Sequence, residues 1–155
     1  MKNLLILILF SIILYGCAVN DSLKSKIINK CAGKDSCIVK IKDFTRFEWD
    51  TMYVFNQRAS KRVIKELTGI EQKERYASHK TFFKNKNQVV YFEEQKYDPS
   101  DRESFTLNYD IYNVYEGYMA FTPETANFYF VITKFDGYTY YDLAPINKPA
   151  KQLTN

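Results

Sequence analysis

The stretch Phe128-Tyr-Phe-Val-Ile-Thr-Lys-Phe-Asp-Gly-Tyr-Thr-Tyr-Tyr-Asp-Leu143 decides the fold. It holds two runs of aromatic and β-branched residues, Phe128–Lys134 and Tyr138–Leu143, on either side of Asp136-Gly137. Such residues suit a pleated, half-buried surface. Asp-Gly is the pair selected by a two-residue type I′ turn, in which both central residues need positive φ. The reading is a β-hairpin. Side chains alternate along a strand, so Phe128, Phe130 and Ile132 face one way and Tyr129, Val131 and Thr133 the other. Tyr140 and Tyr141 likewise face opposite sides. With one face covered by helices, the other carries Tyr129 together with Tyr138, Tyr140 or Tyr141.

Upstream, Tyr118–Thr122 extends the pattern through a turn at Pro123–Asn127, making a meander. Phe105, Leu107, Tyr109 and Ile111 alternate with Thr106, Asn108 and Asp110, the period-2 signature of a half-buried strand. The polar run Asp98–Glu103 breaks the sheet before it. Thr81–Lys84 and Gln88–Glu94 flank Asn85-Lys86-Asn87, a second hairpin. Cys37–Ile41 and Thr51–Phe55 read as further strands. Asp21 or Ser22 caps a first helix through about Lys30, with Leu23, Ile27 and Ile28 on one face. Ser60 caps a second helix, Lys61–Leu67, which Gly69 ends, with Val63, Ile64 and Leu67 as its buried stripe. The charged stretch Glu71–Arg75 is a solvated connection. The fold class is α+β: two short helices packed on a mainly antiparallel, aromatic-rich β-sheet.

The N-terminus speaks to location. Lys2 precedes the eleven-residue apolar run Leu4–Leu14, which Gly16-Cys17 follows almost at once. A bilayer span takes about 20 apolar residues, so this run is a secretory signal peptide. Leu14-Tyr15-Gly16-Cys17 resembles a bacterial lipobox. That resemblance implies a lipidated Cys17 as the new first residue, carrying more than one acyl chain, as stable anchoring demands. In a host with two membranes, Ala18, where an Asp would signal inner-membrane retention, favours the outer membrane facing the periplasm. The chain then divides into a signal peptide (1–16), a lipid-anchored segment with a helix (17–36), one α+β domain (37–144) and an irregular tail (145–155). Losing Lys2 lowers the net charge from +4 to +3, too small an excess to argue for nucleic acid.

Cys31 and Cys37 remain as a pair in an oxidising compartment, separated by the turn-like Ala32–Ser36. The spacing is not Cys-x-x-Cys and no histidine lies nearby, so a disulfide is expected rather than a redox or zinc site. Phe47-x-Trp49-Asp50-x-Met52-Tyr53-x-Phe55, followed by a short helix ending in Leu67-x-Gly69, resembles a group of small uncharacterised bacterial lipoproteins and secreted proteins. They share an aromatic-Trp-Asp-x-x-Tyr element. The resemblance covers roughly residues 37–143 and implies the fold, with no activity to carry over.

Candidate chemistry is sparse. His79 is the single histidine, and no Gly-x-Ser-x-Gly elbow accompanies it. Asp98, Ser100, Asp101 and Glu103 gather oxygen atoms but lack the spacing of a calcium loop; turn chemistry accounts for them. Glu93 and Glu94 face opposite sides of a strand and make no catalytic pair. Trp49-Asp50 has two readings: an indole and carboxylate that grip a sugar or a cation, or a core Trp whose neighbour caps a turn or accepts the indole N–H. Lys24, Lys26, Lys30, Lys34, Lys40 and Lys42 lie near the anchor, either against anionic lipid, at about 1 kcal/mol each, or as a solvated face. No catalytic residue, metal or cofactor is expected. The expected role is a membrane-anchored, non-enzymatic module that binds another envelope or secreted protein, for envelope assembly or as an inhibitor or immunity factor. Its candidate contacts are Phe47, Trp49, Asp50, Tyr53, Tyr129, Tyr138, Tyr140 and Tyr141. The alternatives are a glycan- or peptidoglycan-binding lipoprotein and, behind it, a cell-wall hydrolase.

Overall fold

The computed structural model describes residues 22–72, 78–96, 101–107 and 117–147. The signal peptide, Cys17, the alternative cap Asp21, residues 73–75 of the charged connection, residues 98–100 of the polar excursion, Tyr109 and Ile111, and the tail from 148 lie outside them. Among the described residues no helix is long and apolar enough to cross a membrane.

Ser22 accepts a hydrogen bond from the Ser25 amide and opens helix α1 (Leu23–Cys31). After Gly33, at φ 76°, the chain enters strand β1 (Ser36–Lys40) and a 3-10 turn at Ile41–Asp43. Strand β2 (Thr51–Phe55) leads to helix α2 (Lys61–Thr68), capped by Ser60 at its start and by left-handed Gly69 at its end. Strands β3 (Ser78–Asn85) and β4 (Gln88–Lys96) form the expected hairpin. Its turn is the two-residue Lys86-Asn87, both at positive φ, as a type I′ turn requires. Strands β5 (Glu103–Leu107), β6 (Tyr118–Phe121), β7 (Asn127–Phe135) and β8 (Tyr138–Pro145) follow. Asp136 and Gly137 both take positive φ in the β7–β8 turn. Pro145 is the last residue of β8, paired with Phe128, so the expected tail starts one residue too early.

The α+β class with mainly antiparallel strands stands, but the strands divide between two sheets. Sheet one runs β1-β7-β8-β5 and sheet two β4-β3-β2-β6. Among the described strands only β5 is parallel to its neighbour, β8. The expected meander therefore breaks between β6, which pairs with β2, and β7, which pairs with β1. The segment between them is a corner that changes sheets. Thr125 and Ala126 donate their amides to the Thr122 carbonyl at 3.1 and 2.9 Å, and the Thr122 amide donates to Thr125 Oγ1 at 2.8 Å. A hairpin turn and a corner of this kind use the same polar residues, which is why the sequence reads alike for both.

The main core lies between the sheets. Val39, Phe128, Phe130 and Leu143 come from sheet one, Met52, Val54, Phe83, Met119 and Phe121 from sheet two, and Ile27 and Cys31 from α1. Phe121 meets Phe128 edge-on across the corner at 5.1 Å. Cys31 and Cys37 form the expected disulfide, with Cα atoms 5.9 Å apart, which ties α1 to β1. A smaller core of Phe55, Ile64, Phe82 and Tyr118 lies under α2 on the far face of sheet two. Sheet two is thus covered on its inner face and, under α2, on part of its far face, where Phe92 of β4 stays 42% exposed beside Phe82. Sheet one is covered on its inner face by sheet two and α1, and among the described residues nothing covers its outer face.

Candidate functional site

The outer face of sheet one is built by register. Phe128 and Phe130 are fully buried, so their neighbours Tyr129 and Val131 must project outward. Across the ladders, Ile38 lies opposite Tyr129, Thr133 opposite Tyr140, and Phe135 opposite Tyr138. The outcome is an apolar and aromatic surface crossing three strands, with Tyr129 50% and Phe135 71% exposed. Tyr138 and Tyr140 lie on it with ring centroids 6.4 Å apart. At one end Ile38, Lys40, Lys42, Pro123, Asn127 and Ile146 line an open groove of about 330 Å³. On the same face Asp142 pairs with Val131. Asp142 is partly buried, and burial pushes its carboxyl pKa up.

Tyr129, Tyr138 and Tyr140 therefore share one exposed surface, whereas the remaining sequence-selected residues do not join them. Tyr141 faces inward, stacked on Phe130 at 5.9 Å, and burial raises its pKa, with the Glu103 charge adding to the effect. Trp49 is only 8% exposed. Its indole packs edge-on against Phe83 at 5.1 Å and its N–H donates to Thr45 Oγ1 at 3.0 Å. Phe47 stacks on Tyr91 at 5.3 Å beside the same core. Tyr53 belongs to the α2 side, within reach of Lys84 Nζ, which lies 5.9 Å from its ring centroid. Asp50 accepts the Lys86 amide at 2.7 Å and so holds the β3–β4 turn. The Trp-Asp element is structural: the indole fills the core and the carboxylate caps a turn.

A polar cluster on the other side of sheet two went unread. Lys80 is 7% exposed, and its Nζ lies 3.2 Å from Glu94 Oε1 and donates to Ser78 Oγ. Ser78 in turn donates to Glu94 at 2.8 Å. Burial works against the Glu94 charge, but the hydrogen bonds from Ser78 and Lys80, with the charges of Lys80 and Lys96, hold its pKa below the usual value. A serine beside a lysine is one form of nucleophile and base. Here the ammonium is committed to a carboxylate, and Ser78 is itself buried. The signal lay in Ser78-x-Lys80 at same-face spacing; the partner Glu94 needed the strand register. His79, between them, has its pKa lowered by burial and then by the Lys80 charge. Glu93 and Glu94 face opposite sides: Glu93 accepts the Leu23 amide and the Tyr91 hydroxyl. Of the acidic excursion, Asp101 accepts the Glu103 amide at 2.9 Å. Among the described residues no three metal-ligating side chains converge.

No family model, curated protein or solved structure matches the chain.

Proposed function

We propose that the protein is a bacterial lipoprotein, anchored through Cys17, that binds another envelope or secreted protein through the outer face of sheet one and performs no chemistry itself. One observation carries this reading: Ile38, Tyr129, Val131, Phe135, Tyr138 and Tyr140 expose large apolar side chains on a face that no described element covers. Contiguous apolar surface on a monomer marks an interaction site, and tyrosines are among the residues that dominate such interfaces. Envelope assembly, inhibition and immunity all suit a small anchored binder.

The glycan-binding alternative keeps the exposed tyrosines but loses its central aromatic, since Trp49 lies in the core. In-cell crosslinking of the tagged, lipidated chain, followed by mass spectrometry, tests the proposal. One protein recovered near equal stoichiometry is the expected result. Recovery of wall fragments alone would overturn it in favour of glycan recognition.

A further inference from the structure

The outer face of sheet one sets its exposed apolar side chains around one carboxylate, with Ser36, Lys40, Asn127 and Thr133 as its other polar residues on β1 and β7. Asp142 stands opposite Val131 on the central strand pair, between Tyr140 and Ala144 on its own strand. It is half-sunk among them, and no hydrogen bond or ion pair reaches its carboxylate from the described residues. Every other carboxylate in the sheets that is comparably enclosed has partners, as Glu93 and Glu94 do. A partner surface that covers this face removes the remaining water from Asp142. Covering a carboxylate without a counter-charge is strongly unfavourable, so an apolar or acidic partner is rejected at this position.

We propose that this face seats a partner protein that presents an arginine side chain to Asp142, between Tyr129 and Tyr140. A guanidinium meets both requirements: its fork pairs with a carboxylate through two hydrogen bonds, and its flat face stacks on tyrosine rings. A tyrosine-flanked carboxylate thereby serves as the polar anchor that fixes the register of an otherwise slippery apolar contact. The raised carboxyl pKa agrees with this geometry, because the charge lacks compensation until a cation arrives. The inference rests on the protein-binding reading of the same face and adds the chemistry of the partner.

The test is selection of a random twelve-residue peptide library, displayed on phage, against the full lipidated chain in detergent micelles. The expected outcome is enrichment of peptides carrying arginine next to apolar residues. Their binding weakens at least tenfold with Asp142→Asn and also with Tyr129→Ala/Tyr140→Ala, while both variants keep the parent circular dichroism spectrum. Peptides without a basic residue, lost on the tyrosine variant but indifferent to Asp142→Asn, would overturn the arginine seat and leave the docking face standing. No enrichment, or peptides indifferent to both variants, would overturn the face as well. Enrichment only against a chain ending at Asn147 would place Lys148 or Lys151 of this chain in the seat and overturn an external partner.

Discussion

Glu93 Oε2 accepts the backbone N–H of Leu23 at 3.0 Å, across seventy positions of sequence. Leu23 is the first residue of α1, whose first turn has no acidic side chain of its own. Strand β4 therefore supplies the negative charge that a helix N-terminus favours. The same oxygen accepts the Tyr91 hydroxyl at 2.8 Å. Glu93→Ala should lower stability by about 1.5–3 kcal/mol, the range for a hydrogen bond to a charged group. Glu93→Gln should lose less. Urea midpoints at constant m-value check both.

The Tyr91–Glu93 contact also makes stability sensitive to alkali. Burial, then the hydrogen bond and charge of Glu93, push the Tyr91 hydroxyl up to about 12 from an ordinary value of 10. The folded state thus holds this proton longer than the unfolded state. The stability so gained is present below pH 10 and is lost as pH rises toward 12. Denaturation midpoints should fall across that window, and Tyr91→Phe should flatten the fall.

In acid the sign reverses and the groups differ. His79 and Glu94 both have lowered folded pKa values, so the unfolded chain binds their protons first. Stability should decline in two stages, first as pH falls below about 6.5 and again below about 4.5. His79→Gln should remove the first stage. Lys80→Met, which leaves the partly exposed Glu94 with Ser78 but without its cation, should cost about 2 kcal/mol at neutral pH and weaken the second.

Gly117 opens β6 at φ 76°, with its carbonyl accepting the Asn56 amide at 2.8 Å. A Cβ there would lie 2.5 Å from the Ala59 backbone nitrogen. Gly117→Ala meets both backbone strain and a backbone clash, so a loss of about 2 kcal/mol or more is expected. Thermal unfolding against the parent chain measures it.

The disulfide between Cys31 and Cys37 closes a short loop. Replacing both with serine should cost about 2 kcal/mol in the chain-entropy picture, and thiol titration of the oxidised chain should find neither group free.

Features that depend on local chemistry were legible in the sequence. Asp136-Gly137 folds as the expected turn because few residue pairs tolerate consecutive positive φ, the expected Asn85–Asn87 loop tightens to Lys86-Asn87 with Asn85 in the strand, and Ser22, Ser60 and Gly69 cap as such residues do. The alternation around Phe128–Phe130 placed Tyr129 outside. Long-range choices were not legible. Nothing in Thr122–Ala126 distinguishes a hairpin from a corner between sheets, and the parallel pairing of β5 with β8 depends on partners far along the chain. Tyr140 and Tyr141 could be put on opposite faces, but which was interior depended on Ile132, the inward-facing partner of Tyr141 in the register. Trp49 precedes its strand, so period-2 reasoning had no hold on it.

The central claim is that sheet one binds through its outer face. A photo-crosslinking amino acid placed at Tyr140 in the full lipidated chain, compared with the same group at Arg62 on exposed α2, tests it in living cells. The account predicts one protein adduct of defined mass from position 140 and none from position 62. Equal adducts from both positions, or none from position 140, would contradict it.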